Sequence, residues 1–196
     1  DGGAILVEDR RVVVSGPAAA EQLGIQTVYQ DLALCDNLDI VSNLYLGRER
    51  SRPVIPGVFS VLRQTEMERE AIPILKQLRI ELPPLSTPVA SLSGGQRQAV
   101  AVARAMLWGS RLVLLDEPTA ALGVAQTAMV LRLIRSMAER GLGVMVISHN
   151  LSNVFEIADR IVVLRLGRTV GSYRKSETTP EEIVAAITGA SGGVYA

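Results

Sequence analysis

The spacing of apolar residues changes character along this chain. The runs AILV (4–7) and RVVV (11–14), parted by acidic and basic residues, read as a β-hairpin. GIQTVYQ (24–30) reads as a third strand that runs into a loop at Gln30. A short helix is expected over 39–47, with Asp39 as N-cap and Gly47 as stop. GRERSRPVIPG (47–57) is a polar, proline-bearing connection, and 59–79 reads as a helix that Pro73 should kink or restart. ELPPLSTP (81–88) looks like a linker.

From residue 110 the runs lengthen. RLVLLDE (111–117) is continuously apolar, as in a strand buried on both faces, and GVMVISH (143–149) repeats the pattern. Between them, Val130, Leu133, Ile134 and Met137 recur at helical spacing within 124–140. A helix (150–158), strands at 160–167 and 168–173, and a last helix from Pro180 follow. Strand–helix–strand alternation predicts an α/β fold with a parallel sheet and helices on its faces. Residues 31–108 show no convincing strand and are expected to form a helical subdomain inserted into that sheet. The expected partition is therefore 1–30, 31–108 and 109–196.

Composition narrows the function classes. A chain of 196 residues with 48% hydrophobic and 20% charged residues has globular composition. Twenty basic and twenty acidic residues cancel, so no overall field favours nucleic acid or an anionic membrane. Eighteen of the twenty basic residues are arginine; the lysines are Lys76 and Lys175. A single cysteine, Cys35, forms no internal disulfide, which suits a reducing compartment. No apolar run reaches the roughly 18 residues a membrane span needs, and no signal peptide is recognised. A soluble, cytoplasmic chain is expected.

Candidate chemistry concentrates at four places. In SLSGGQ (91–96), Ser93 and Gln96 form a capping-box pattern. Such a box is often purely structural. The intervening Gly94 and Gly95 tilt the reading, because bare N–H groups at the positive end of a helix form an anion site. The helix behind is lined with Ala99, Ala101, Ala103 and Ala105, so its backbone can approach a neighbour closely. In LVLLDEP (112–118), an apolar strand ends in Asp116-Glu117 and delivers two carboxylates to the edge where α/β sheets bind ligands. One can support Mg²⁺ through water and the other can act as general base, although such a pair also suits a plain surface. His149, the one histidine, is expected to end the next strand; a lone histidine is more often incidental, but at the same sheet edge as Asp116 and Glu117 it is placed to contact a transferring phosphoryl group. Gln30 offers a neutral amide that can ligate a cation or orient a water.

Taken together, Gln30 in YQDLAL, LSGGQ at 92–96, LLDEP at 114–118 and His149 in ISH resemble the Q-loop, signature motif, Walker B and H-loop of ATP-binding-cassette (ABC) ATPases. The resemblance covers about residues 1–189. VYQDLALCDNLDIVSNLYLGRE and PTAALGV are further similar to the ATPase subunits of ribose-, xylose- and fructose-type monosaccharide importers. It implies a P-loop NTPase-like core and two cassettes that sandwich two ATP molecules. Asp116 would then support Mg²⁺, Glu117 polarise the attacking water and His149 contact the γ-phosphate. Gln30 would touch Mg²⁺ or the water while sensing the membrane partner. Ser93, Gly94, Gly95 and Gln96 would close over the partner cassette's ATP. Implied partners are a second cassette, transmembrane permease subunits and, indirectly, a sugar-binding protein. The implied location is peripheral, on the inner face of the cell membrane.

Two departures qualify the resemblance. Gly123 in AALG stands where the family usually carries an aspartate after Walker B. In addition, no stretch matches G-x-x-x-x-G-K-[ST], the phosphate cradle. In the family that motif lies upstream of the Q-loop. The chain begins at Asp1 rather than methionine and is expected to be the downstream part of an ATPase, lacking the P-loop strand and helix. The alternative is a non-hydrolysing module that lends its signature helix to a partner. A chromosome-organising cassette is disfavoured, because no sustained heptads appear.

Overall fold

The computed structural model describes residues 3–55, 59–77, 80–108 and 111–190. These form two compact units, Asp1–Ile147 and Ser148–Ala196. In chain order the first holds β1 (Ile5–Val7), β2 (Arg10–Val12), α1 (Pro17–Gln22), β3 (Ile25–Val28), α2 (Ile40–Leu44), β4 (Ser51–Ile55), β5 (Phe59–Leu62), α3 (Gln64–Gln77), α4 (Gly94–Leu107), β6 (Leu112–Asp116), α5 (Val124–Ala138) and β7 (Gly143–Ile147). The second holds α6 (Leu151–Ile157), β8 (Arg160–Arg165), β9 (Arg168–Arg174) and α7 (Pro180–Thr188).

The centre of the first unit is a parallel sheet in the order β3–β6–β7. Ile25 pairs with Leu112, and Leu112 with Gly143, so all three strands reach their carboxyl ends together. Helix α4 is the hub of the core. Its Ala99, Val100, Ala101, Val102, Ala103 and Ala105 are all buried, packed among α2, α3, α5 and β3. The expected stripe on α5 also faces inward: Val130, Leu133, Ile134 and Met137 are buried.

Five expectations need correction. First, 31–108 contains an antiparallel hairpin of β4 and β5, so the connection at 47–57 is partly strand and the following helix starts at Gln64, not 59. Pro53 and Arg52 in β4 hid it, because a two-stranded edge ribbon tolerates both. Residues 56–57 of that connection and 78–79 of the predicted helix lie outside the described residues. Second, the helix does not restart at Pro73: α3 is continuous through it. Burial of Met67, Ala71 and Leu75 along one face holds it despite the missing N–H.

Third, the stretch 81–88 is no loose linker. The carbonyls of Thr87 and Leu85 accept from the Ile40 and Val41 N–H groups at 3.1 and 3.2 Å, satisfying first-turn donors of α2. Fourth, β6 is fully buried on one face only: Val113 and Leu115 are buried, whereas Leu112 and Leu114 are half-buried. Fifth, β7 is not a buried strand. Met145 and Ile147 are 56% and 58% exposed, because among the described residues β7 pairs with β6 alone and α5 packs on it from one side. One helix went unread: α1 opens at Pro17, a residue suited to the first helical turn.

Beside α4, the ring of Tyr45 stands edge-on to Trp108 at 5.4 Å, and Arg48 lies 4.7 Å above the Trp108 ring. Tyr45 is 1% exposed and its hydroxyl donates to Glu70 at 3.0 Å. Burial, reinforced by the Glu70 carboxylate, pushes its pKa up to about 12.

In the second unit β8 and β9 form a hairpin with Leu166 and Gly167 at its turn, both at positive φ. Ile161, Val163, Ile183 and Ala186 make its core, with Leu151, Val154, Phe155, Ala158 and Tyr173 packed against it. Helix α7 begins with a capping box of Thr179 and Glu182 and ends at left-handed Gly189.

Candidate functional site

Because β3 and β6 are parallel and Val28 pairs with Leu115, the residues that follow them emerge at the same sheet edge. Asp116 is the last residue of β6 and is half-buried; Gln30 begins the turn two residues past β3 and is exposed. Both line one open cleft of about 800 Å³, together with Tyr29, Asp31 and Ala33. A carboxylate, an amide and further oxygen donors at a carboxyl sheet edge suit a hydrated cation carried by an anionic ligand. Among the described residues no cluster of three or more His, Cys, Asp and Glu gathers as a resident metal site. The donor set fits an Mg²⁺ that brings its own waters and phosphate ligands.

Glu117 sits at a strained position. Its φ is 47°, in the left-handed region that residues with a Cβ disfavour. Its N–H donates to the Ile147 carbonyl at 3.0 Å, extending the β6–β7 ladder by one rung, and its carbonyl accepts from Ala120 at 3.0 Å. Local strain of this kind gathers at functional sites and survives only where neighbours fix it. The half-buried Glu117 and buried Pro118 thus form a fixed turn, where the sequence left open a plain surface pair.

The capping box is present as read. Ser93 Oγ accepts from Gln96 N–H at 3.3 Å, and Gln96 Oε1 accepts from Ser93 N–H at 3.0 Å. The glycines divide the work between them. Gly95 is buried, and a Cβ there would meet Met129 Cε at 2.9 Å and Gln126 Cβ at 3.2 Å on α5. Close packing of α4 on α5 therefore explains Gly95 by itself. Gly94 is exposed and meets only Leu122, at 3.0 Å. Ser93, Gly94, Gly95 and Gln96 are not among the described residues that line the Gln30–Asp116 cleft.

His149 does not end a strand. β7 stops at Ile147, which is paired with Asp116, and His149 follows in an exposed bend. The chain turns there because Asn150 N–H donates to Ser148 Oγ at 3.1 Å and Asn150 then caps α6 by accepting from Asn153 N–H. At the start of α5, the Gln126 side chain accepts from the Gly123 N–H at 3.2 Å, where an aspartate would have capped directly.

Sequence reasoning missed the residues that hold the loop after Gln30. Asn43 is fully buried; its Oδ1 accepts from Cys35 N–H at 2.7 Å and its Nδ2 donates to the carbonyls of Cys35, Leu38 and Asp39. From α4, Arg97 pairs with Asp36 at 2.8 Å, and Arg104 donates to the Leu32 and Ala33 carbonyls. Burial lowers the pKa of the Arg104 guanidinium from its ordinary value. The only signal in the sequence was a buried-face polar residue at helical spacing, which one sequence does not separate from an exposed one.

Comparison with known proteins agrees with this geometry. A sequence profile described as ABC transporter matches residues 1–120. The chain is 42% identical over 188 residues to the xylose/arabinose import ATP-binding protein XylG of Sulfolobus acidocaldarius, covering 96% of this chain and 72% of that protein. It is 45% identical over 192 residues to the fructose import ATP-binding protein FrcA of Rhizobium meliloti, covering 97% and 74%. With the ribose import ATP-binding protein RbsA 1 of Rubrobacter xylanophilus it shares 38% identity, over 97% of this chain but 37% of the relative. Its fold is similar to the ADP conformation of the ATP-binding cassette MJ1267 (TM-score 0.74, 21% identity, 96% of this chain and 74% of the other). It is also similar to MJ0796 in a dimeric post-hydrolysis state bound to ADP and Pi (TM-score 0.67, 23% identity, 89% and 74%). Motifs, sheet order and relatives converge, and the chain belongs to the ABC transporter family of nucleotide-binding ATPase cassettes.

Proposed function

We propose that this chain is the ATP-hydrolysing cassette of a sugar importer, acting at the inner face of the cell membrane beside permease subunits. The observation that carries the reading is the convergence of Gln30 and Asp116 on one cleft at the carboxyl edge of a parallel sheet. The names of XylG, FrcA and RbsA support a sugar as cargo, and the dimeric MJ0796 supports a second cassette as partner. Among the described residues no helix is long and apolar enough to cross a membrane, in keeping with transmembrane passage made by other subunits. A sugar-binding protein is reached only through them. In this reading 1–30, 31–108 and 109–196 act as entry strands, helical subdomain and α/β core.

Asp116 and Gln30 would hold Mg²⁺ with the phosphates of ATP. Bound there, the ion neutralises charge on the transferring phosphoryl group. Glu117, fixed by its backbone bond to Ile147, orients and deprotonates the attacking water. His149 contacts the γ-phosphate. Ser93, Gly94, Gly95 and Gln96 serve the nucleotide of the partner cassette through the N–H groups of this helix start. The alternative reading is a non-hydrolysing module that lends this helix start to a partner.

Glu117→Gln tests the assignment in the ATPase that carries this chain. Mg-ATP affinity should hold within about twofold, while turnover falls by a factor on the order of 10² to 10⁴, the range of a lost general base. Undiminished hydrolysis would reject Glu117 as base, and a chain that neither binds nor hydrolyses Mg-ATP would favour the module.

A further inference from the structure

The segment leaving Gln30 contains two consecutive residues with side chains in the left-handed region, Leu32 (φ 60°) and Ala33 (φ 45°). A Cβ disfavours that region, so the pair persists only where its surroundings hold it. Arg104, half-buried in the last turn of α4, supplies the hold. Its Nη1 donates to the Ala33 carbonyl at 2.8 Å and its Nη2 to the Leu32 carbonyl at 3.0 Å. A single guanidinium fork therefore grips both carbonyls of the strained pair. Ala33 is itself a wall of the cleft that Gln30 and Asp116 line.

Two turns earlier on the same stripe of α4, Arg97 makes a parallel attachment. It pairs with Asp36 at 2.8 Å and donates to the carbonyls of Ala90 and Leu92, at 3.2 and 3.4 Å, directly ahead of Ser93. The two arginines tie the loop after Gln30 to the helix whose first residues carry the capping box. Neither belongs to the motifs read from the sequence, and neither lines the cleft.

We propose that Arg104 is a positioning residue for Gln30: by forking onto the Leu32 and Ala33 carbonyls, it fixes the wall of the Gln30–Asp116 cleft to α4, the helix that Ser93 caps. The consequence for nucleotide rests on the function proposed above; the hold on the loop rests on the geometry alone. Lysine cannot replace it, because an ammonium is a point donor and does not reproduce the fork.

Hydrogen–deuterium exchange on the 196-residue chain tests the hold. In Arg104→Lys the Leu32 amide, bonded to the Tyr29 carbonyl at 3.0 Å, and its neighbours through Asp36 should exchange about tenfold faster, while α4 and β6 keep their protection. Unchanged exchange at 31–36, or equal acceleration throughout α4, would overturn the proposal. Arg104→Met gives a second measurement if the first variant is too mild, and should match or exceed it. With Mg-ATP as probe, Gln30→Ala and Arg104→Lys should each weaken binding, and the double variant should weaken it no more than the stronger single. Fully additive losses would overturn the positioning role. Intact Mg-ATP affinity in Gln30→Ala, or no affinity in any variant, would count against the nucleotide reading of Gln30, and the exchange result then decides the role of Arg104.

Discussion

The Ala99–Ala103 segment of helix α4 and strand β7 are both almost wholly apolar and meet opposite fates. From Ala99 to Ala103, α4 is buried on every side, although alanine is a modest apolar residue. In β7, Val144 and Val146 are half-buried and Met145 and Ile147 stand more than half exposed. The difference lies in the neighbours. Four elements converge on α4 and small side chains let them come close, whereas among the described residues β7 has a partner on one edge only and a helix on one side. Apolar content records what a segment tolerates; coverage records what the topology places beside it.

That contrast is open to direct attack. Val100→Asp, at a fully buried position of α4, should cost about 4 kcal/mol or more and unfold the first unit, because it takes a carboxylate out of water. Circular dichroism under urea would read it, and a loss below about 1 kcal/mol would mean the α4 core is loose. Gly95→Val should cost about 2 kcal/mol, since its side chain must displace Met129 and Gln126 on α5. Denaturant melts in parallel with Gly94→Ala, where only Leu122 must give, should show the smaller loss at Gly94.

Tyr45 gives the pH counterpart. Its folded pKa, about 12, lies above the ordinary value of 10.0, so its contribution is fully present below pH 10 and is lost as pH rises towards 12. The loss should amount to about 2 kcal/mol across that window. Melting curves at pH 9 and 11 should converge between wild type and Tyr45→Phe as pH rises; a constant gap would remove the role assigned to burial. The smallest effect belongs to β7. Met145→Asp should change the stability of this chain by no more than about 0.5 kcal/mol, as at other exposed positions. It should also reduce any self-association seen by light scattering, since an exposed apolar strand edge invites pairing. A large destabilisation there would mean that Met145 is covered after all.

The legible part of the site was its local chemistry. LSGGQ foretold a capping box because the bond from Ser93 to Gln96 spans a single turn. DEP after an apolar run foretold carboxylates at a strand end, and the stripe Val130–Met137 foretold the inner face of α5. The β4–β5 hairpin was missed because proline and arginine suit an edge ribbon as well as a loop.

What the sequence determined by itself was the type and order of most elements, their caps and the identity of the chemical groups, since these depend on contacts a few residues apart. Tertiary structure alone decided that Gln30 and Asp116 share a cleft, that Gly95 serves the seam with α5, that Glu117 is held at positive φ by Ile147, and that Arg104 reaches back across 71 residues to Ala33. Each of these joins positions far apart in the chain, and no local periodicity encodes which distant backbone a side chain will meet.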